Sequence, residues 1–193
     1  MHLTPRRMRR GIAAIAVASA AVLLPAVALA SSGTSAGPAA ATAAHRCSVV
    51  ALTVWLGTPG NGTAGSTVYD LEFSNTSKST CTLFGYPGVS ATGQGGKQVG
   101  RAANRDHSRP SKLVRLRPGG TGHALLQITD VGNYSAAACK PVTASSLRVY
   151  APGGFTAINM PFQGSFQACS RRGPVFLHVT AVIAGTGIPG YTG

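Results

Sequence analysis

The sequence predicts an all-β protein: an Ig-like β-sandwich of about seven to nine short antiparallel strands with two disulfides. Three observations carry that expectation. From Cys47 onward, short apolar runs alternate with Gly, Pro, Ser and Asn punctuation. Several of those runs have a two-residue period, the mark of a half-buried strand. No stretch has a convincing helical period, and at most one turn of helix fits near Ser135–Ala138.

The domain begins only after an export segment. MHLTPRRMRR carries four arginines and no acid, and an uncharged apolar run follows, ending Ala28-Leu29-Ala30. That order predicts a signal peptide over residues 1–30, cleaved at the small-x-small site. The pairs Arg6-Arg7 and Arg9-Arg10 leave both the general and the twin-arginine route open. Residues 31–46 are small and polar and read as a flexible leader. Residues 47–183 form the predicted single domain, and 184–193 read as a frayed tail. No later segment is apolar enough to span a membrane, so the expected location is outside the cell.

Strands are expected at 49–56, 67–73, 81–84, 113–117, 123–129, 146–150 and 175–183, with a weaker one at 155–160. In 67–73, Tyr69, Leu71 and Phe73 fall on one side and Asp70 and Glu72 on the other, which predicts two solvated acids. In 113–117, Val114 and Leu116 point inward and Arg115 and Arg117 outward. Trp55 and Phe84 lie in apolar runs and are assigned to the core. Pro87-Gly88 fits the centre of a type II turn. Tyr86 beside it either packs across that turn or presents its ring, and packing is the expectation.

The four cysteines, Cys47, Cys81, Cys139 and Cys169, all lie in the exported part, where thiols pair. Three connectivities are open. Sequential pairing, Cys47 with Cys81 and Cys139 with Cys169, closes two loops of similar size. Each would contribute about 3–4 kcal/mol through the unfolded state. Zinc is disfavoured on spacing, because no Cys-x-x-Cys pair occurs.

Chemical motifs are scarce, and no catalytic residue, metal ligand set or cofactor is assigned. GNGTAG (60–65) has phosphate-loop spacing but leads into a strand pattern, so it reads as an inter-strand loop. Asp106-His107-Ser108 holds the residue types of a hydrolase triad, yet adjacent side chains diverge. Asp70 and Glu72, about 7 Å apart by strand rise, have glycosidase-like separation and read as surface acids. His45 and His107 lack ligand spacing, and His123 and His178 could meet only if their strands adjoin. NGT (61–63), NTS (75–77) and NYS (133–135) fit the glycosylation acceptor pattern and suggest surface turns.

The most informative stretch is basic. Lys97, Arg101, Arg105, Arg109, Lys112, Arg115 and Arg117 stand against a single acid, Asp106. Such a segment attracts anionic polymers. It contains no aromatic, which argues against specific nucleic-acid recognition.

These residues also carry a resemblance. The order Cys47, AGSTVYDLEF, FSNTSKSTCTLFGYPGVS, GGKQVG, a basic segment, LVRLRPGGTGHALL, CKPVTASSLRVYAP and Cys169 before VFLHVTAV resembles domain-of-unknown-function family 4232. That family occurs in secreted proteins and lipoproteins of high-GC Gram-positive bacteria. The resemblance covers about residues 47 to 183 and implies an exported sandwich with two disulfides. It implies no activity and no catalytic residues. Many members have a lipid-attachment cysteine, and its absence here favours release. The expected role is a secreted, non-enzymatic binding module of the envelope or medium, with an anionic wall polymer or another exported protein as partner. The alternatives are an envelope hydrolase and an inhibitor-like or structural domain.

Overall fold

The computed structural model describes residues 44–57 and 61–187. The expected signal peptide, most of the leader, the first glycine of GNGTAG and the end of the tail lie outside them. In chain order the strands are β1 (Leu52–Leu56), β2 (Asn61–Thr63), β3 (Ser66–Asn75), β4 (Cys81–Phe84), β5 (Gly88–Thr92), β6 (Gln98–Val99) and β7 (Asn104–Asp106). They continue with β8 (Leu113–Leu116), β9 (Thr121–Thr129), β10 (Val142–Tyr150), β11 (Ala157–Ala168), β12 (Leu177–Thr180) and β13 (Ile183–Ala184). The single α-helix among the described residues, α1 (Ala136–Cys139), is one turn long and is capped by Ser135 Oγ accepting from Ala138 N–H.

The larger sheet is built on β3. Strand β9 pairs with its whole length, Ser66 opposite Thr129 through Ser74 opposite Thr121. The other edge of β3 is shared by β1, against Leu71–Asn75, and β2, against Ser66–Val68. Beyond β9 come β12 and β13, and β7 closes the sheet with a parallel pairing to β12. A second sheet runs β11-β10-β5-β6, and β4 with β8 makes a separate ribbon. The result is an all-β sandwich. Among the described residues nine strands have four or more residues, the upper end of the expected seven to nine, and four shorter ones complete the edges.

The core follows from the two-residue period. On β9, Gly122, Ala124, Leu126 and Ile128 are buried, and His123, Leu125 and Gln127 between them are half-buried. Leu71 and Phe73 meet Leu147, Val149, Phe176 and Val179 in one cluster. Burying each such side chain is worth about 1.5–3 kcal/mol. Strand β5, which the sequence hides behind Ser, Ala and Thr, lies in the middle of the second sheet and is buried from Val89 to Thr92. Both disulfides form in the sequential pairing, Cys47–Cys81 and Cys139–Cys169.

Several local expectations are corrected. The last leader residues join the domain: Arg46 bridges Thr82 in parallel, and Thr82 N–H donates to His45 O. Pro87-Gly88 is no type II turn, because the positive φ belongs to Gly85 (96°) and Gly88 opens β5. The expected strand 175–183 breaks into β12 and β13. Asn75, the acceptor of one glycosylation pattern, is fully buried, its Nδ2 donating to Ser79 O and Leu116 O. GNGTAG ends in a hairpin: β2 turns at Gly65 (φ 71°) straight into β3.

Trp55 is 40% and Phe84 59% exposed, so neither is a core residue. Each sits on the outward side of its strand. Trp55 opposes Glu72, and Phe84 opposes Leu113.

Candidate functional site

The basic segment runs from the start of β6, the outer strand of the second sheet, through β7, the outer strand of the larger sheet, to the end of β8 in the ribbon. Lys97 follows a short 3₁₀ turn, Arg105 lies on β7, and Arg115 lies on β8. Lys97, Arg101, Arg105, Lys112, Arg115 and Arg117 are exposed and Arg109 is half-buried. The alternation on β8 works as the sequence predicts: Val114 and Leu116 are buried and Arg115 faces solvent. The fold adds cations that the segment does not contain. Arg148 on β10 donates from Nη2 to Gly96 O (2.6 Å), next to Lys97. Arg46 and Arg115 flank Thr82 from its two sides, one by the parallel bridge and one by the β4–β8 register.

Tyr86 contacts three residues of this segment, Arg105, His107 and Arg109. The Arg105 guanidinium lies 5.7 Å from its ring centroid, a cation–π distance. The His107 ring tilts against it at 4.8 Å, and the hydroxyl is 3.0 Å from His107 Nδ1. The hydroxyl also donates to Arg109 O (3.5 Å). Both contacts are satisfied together when His107 Nδ1–H donates to the hydroxyl and the hydroxyl O–H donates to Arg109 O. Tyr86 therefore packs, as expected, but onto the basic loop and not across its own turn. It supplies the aromatic that the segment lacks. Its ring is already engaged from the Arg105 and His107 sides.

The one acid in the segment is committed locally. Asp106 Oδ1 accepts from Ser108 N–H (2.8 Å). That backbone bond, then the Ser108 side chain, and to a lesser degree His178 and His107, hold its carboxyl below the usual carboxylate range. Asp106, His107 and Ser108 thus form a capped turn. His107 turns to Tyr86 and does not bridge Asp106 to a nucleophile.

His123 and His178 do not meet. His178 opposes Gln127 on β9, four residues from His123, a separation of about 13 Å along the strand. Among the described residues no group of three or more His, Cys, Asp or Glu could hold a metal ion.

The acid pair is overturned most clearly. Asp70 is 5% exposed and Glu72 fully buried, because the chain after β13 crosses the outer face of β3. Gly187 N–H donates to Glu72 Oε1 (2.7 Å), and His123 Nδ1 lies 2.8 Å from Gly185 O. A Cβ on Gly187 would run into the Asp70 side chain, so glycine is what lets the strap lie down. Residues 184–187 are therefore docked and not frayed. Glu72 Oε2 has no hydrogen-bond partner. Burial pushes the Glu72 carboxyl up, against the lowering effects of the Gly187 N–H and His123.

Architecture and site together define the class: an all-β sandwich stapled by two disulfides, with a run of mostly exposed cations from Lys97 to Arg117. The chain belongs to the DUF4232 family, a domain of unknown function, whose model matches residues 47–182. No curated protein and no solved structure matches it. Among the described residues no helix is long and apolar enough to cross a membrane.

Proposed function

We propose that this is a secreted, non-enzymatic binding module that holds an anionic polymer of the cell envelope on its basic segment. The observation that carries the reading is the charge balance of that segment. Seven cations between Lys97 and Arg117 face one acid, and that acid is tied to its own turn. The other acids do little to offset them: Asp70 and Glu72 are buried, and Asp130 is outside the segment. A phosphate-rich wall polymer has the complementary charge.

Retention of the mature protein on isolated wall material, washed with rising salt, tests this. Release at moderate salt is expected, since exposed pairs are screened within about 10 Å at 0.1 M. Retention indifferent to salt overturns the reading. A second reading, docking onto another exported protein, is favoured by one feature. Phe84 and Leu113 form an exposed cross-strand apolar pair beside Arg115. Loss of a co-purifying protein from culture medium on Phe84→Ser, with wall retention unchanged, would favour it.

A further inference from the structure

Strand β11 contains an irregularity that the sandwich itself does not require. Its pairing with β10 runs Ala168–Phe166 against Val142–Ala144, then resumes with Pro161 against Ser146. Four residues, Phe162 to Ser165, stand where β10 has one, and Gly164 takes a positive φ of 83° within them. Such bulges re-aim side chains. Here the excursion lays Phe162 edge-on against Tyr69 of the larger sheet, ring centroids 5.5 Å apart at 78°. Phe166 stands behind it at 4.6 Å. The three rings wall a cleft of about 440 Å³ that opens to solvent, with Ile128 also lining it. Small-ligand sites occupy roughly 300–1,000 Å³.

Val131 and Gly65 also line the cleft, and the remaining lining residues are polar: Ser66, Thr67, Thr129, Gln167 and Asp130. No Lys or Arg lines it, although the chain has 17 of them against four acids. We propose that this cleft binds a neutral saccharide. A sugar ring offers an apolar C–H face to the aromatic wall and hydroxyls to the rim, which supplies both donors and acceptors. A purely apolar ligand would strip water from the rim without replacing its hydrogen bonds. An anionic ligand would find a carboxylate and no cation. The site lies at the Ser66 end of β3, whereas the Asn75 end meets the β8 ribbon, so it is separate from Arg115.

The test uses the mature protein and three neutral trisaccharides, of N-acetylglucosamine, glucose and mannose. Amide chemical-shift mapping is expected to show perturbation centred on Tyr69, Thr129, Phe162 and Gln167 for at least one of them, unchanged by added salt. Phe162→Ala, on the excursion, should weaken that binding on the order of tenfold, the scale of one lost ring contact. Arg115→Gln should leave it unchanged. The proposal is overturned if none of the three perturbs the cleft at millimolar concentration. It is equally overturned if an anionic sugar or an unrelated peptide perturbs it and no neutral sugar does. The wall-retention result is independent of these outcomes.

Discussion

Replacing Cys47 and Cys81 together by alanine should lower stability without dismantling the native fold. The bond joins residues separated by 34 positions. In the loop-entropy relation that closure restricts the unfolded chain by about 12.6 cal/mol/K, or about 3.8 kcal/mol at room temperature. At roughly 2–4 °C per kcal/mol for a domain of this size, the melting temperature should fall by roughly 8–15 °C. The folded state has other ties at the same place: Cys47 N–H donates to Thr82 O and Thr82 N–H to His45 O, both 2.9 Å. The loss should therefore act through the unfolded chain. Calorimetry of wild type and variant, each with Cys139–Cys169 intact, reads the first quantity. Hydrogen exchange at the Thr82 amide reads the second. A fall under about 2 °C, or loss of Thr82 protection under native conditions, would refute the reasoning.

Glu72 sets a pH dependence of defined sign. Its folded carboxyl is raised above the unfolded value by burial, so its favourable contribution is complete below the unfolded value. That contribution is lost as pH rises through the folded value. Glu72→Gln keeps an oxygen for the Gly187 N–H and removes this loss. Urea midpoints should show the variant gaining on wild type as pH rises through the acidic range, and a constant difference would count against the buried charge. Asn75→Ala strands the buried Leu116 carbonyl and the Ser79 carbonyl, and should cost about 2–4 kcal/mol by urea melts. Leu83→Ala, fully buried, should cost about 2–5 kcal/mol, whereas its neighbour change Phe84→Ser should stay within about 0.5 kcal/mol.

The parts of the fold legible in the sequence are those where a strand buries one face. Burial alternates strictly along Leu113–Leu116 and Thr121–Thr129, and the sequence follows it apart from Leu113 and Leu125 on the other face. The reading failed where a second layer covers the other face. Asp70 and Glu72 look like solvent-facing residues in local alternation, and only the distant strap around Gly187 encloses them. Strand β5 was invisible because its Ser90, Ala91 and Thr92 carry little apolar signal yet are buried. Trp55 and Phe84 erred in the opposite direction, since an apolar run does not say which side lacks a covering layer. The cations of the candidate site were legible as a run. Tyr86 and Arg148 were not, because long-range pairing brings them there.

Electrostatic capture on the basic segment is measured most directly by the salt dependence of affinity for a soluble phosphate-rich wall polymer. Wild type should be compared with the variant carrying Gln at Arg105, Arg109, Lys112 and Arg115. A steep fall in log affinity with log salt is expected for wild type, with a clearly shallower slope and weaker binding for the variant. Equal slopes and equal affinities in the two proteins would contradict it.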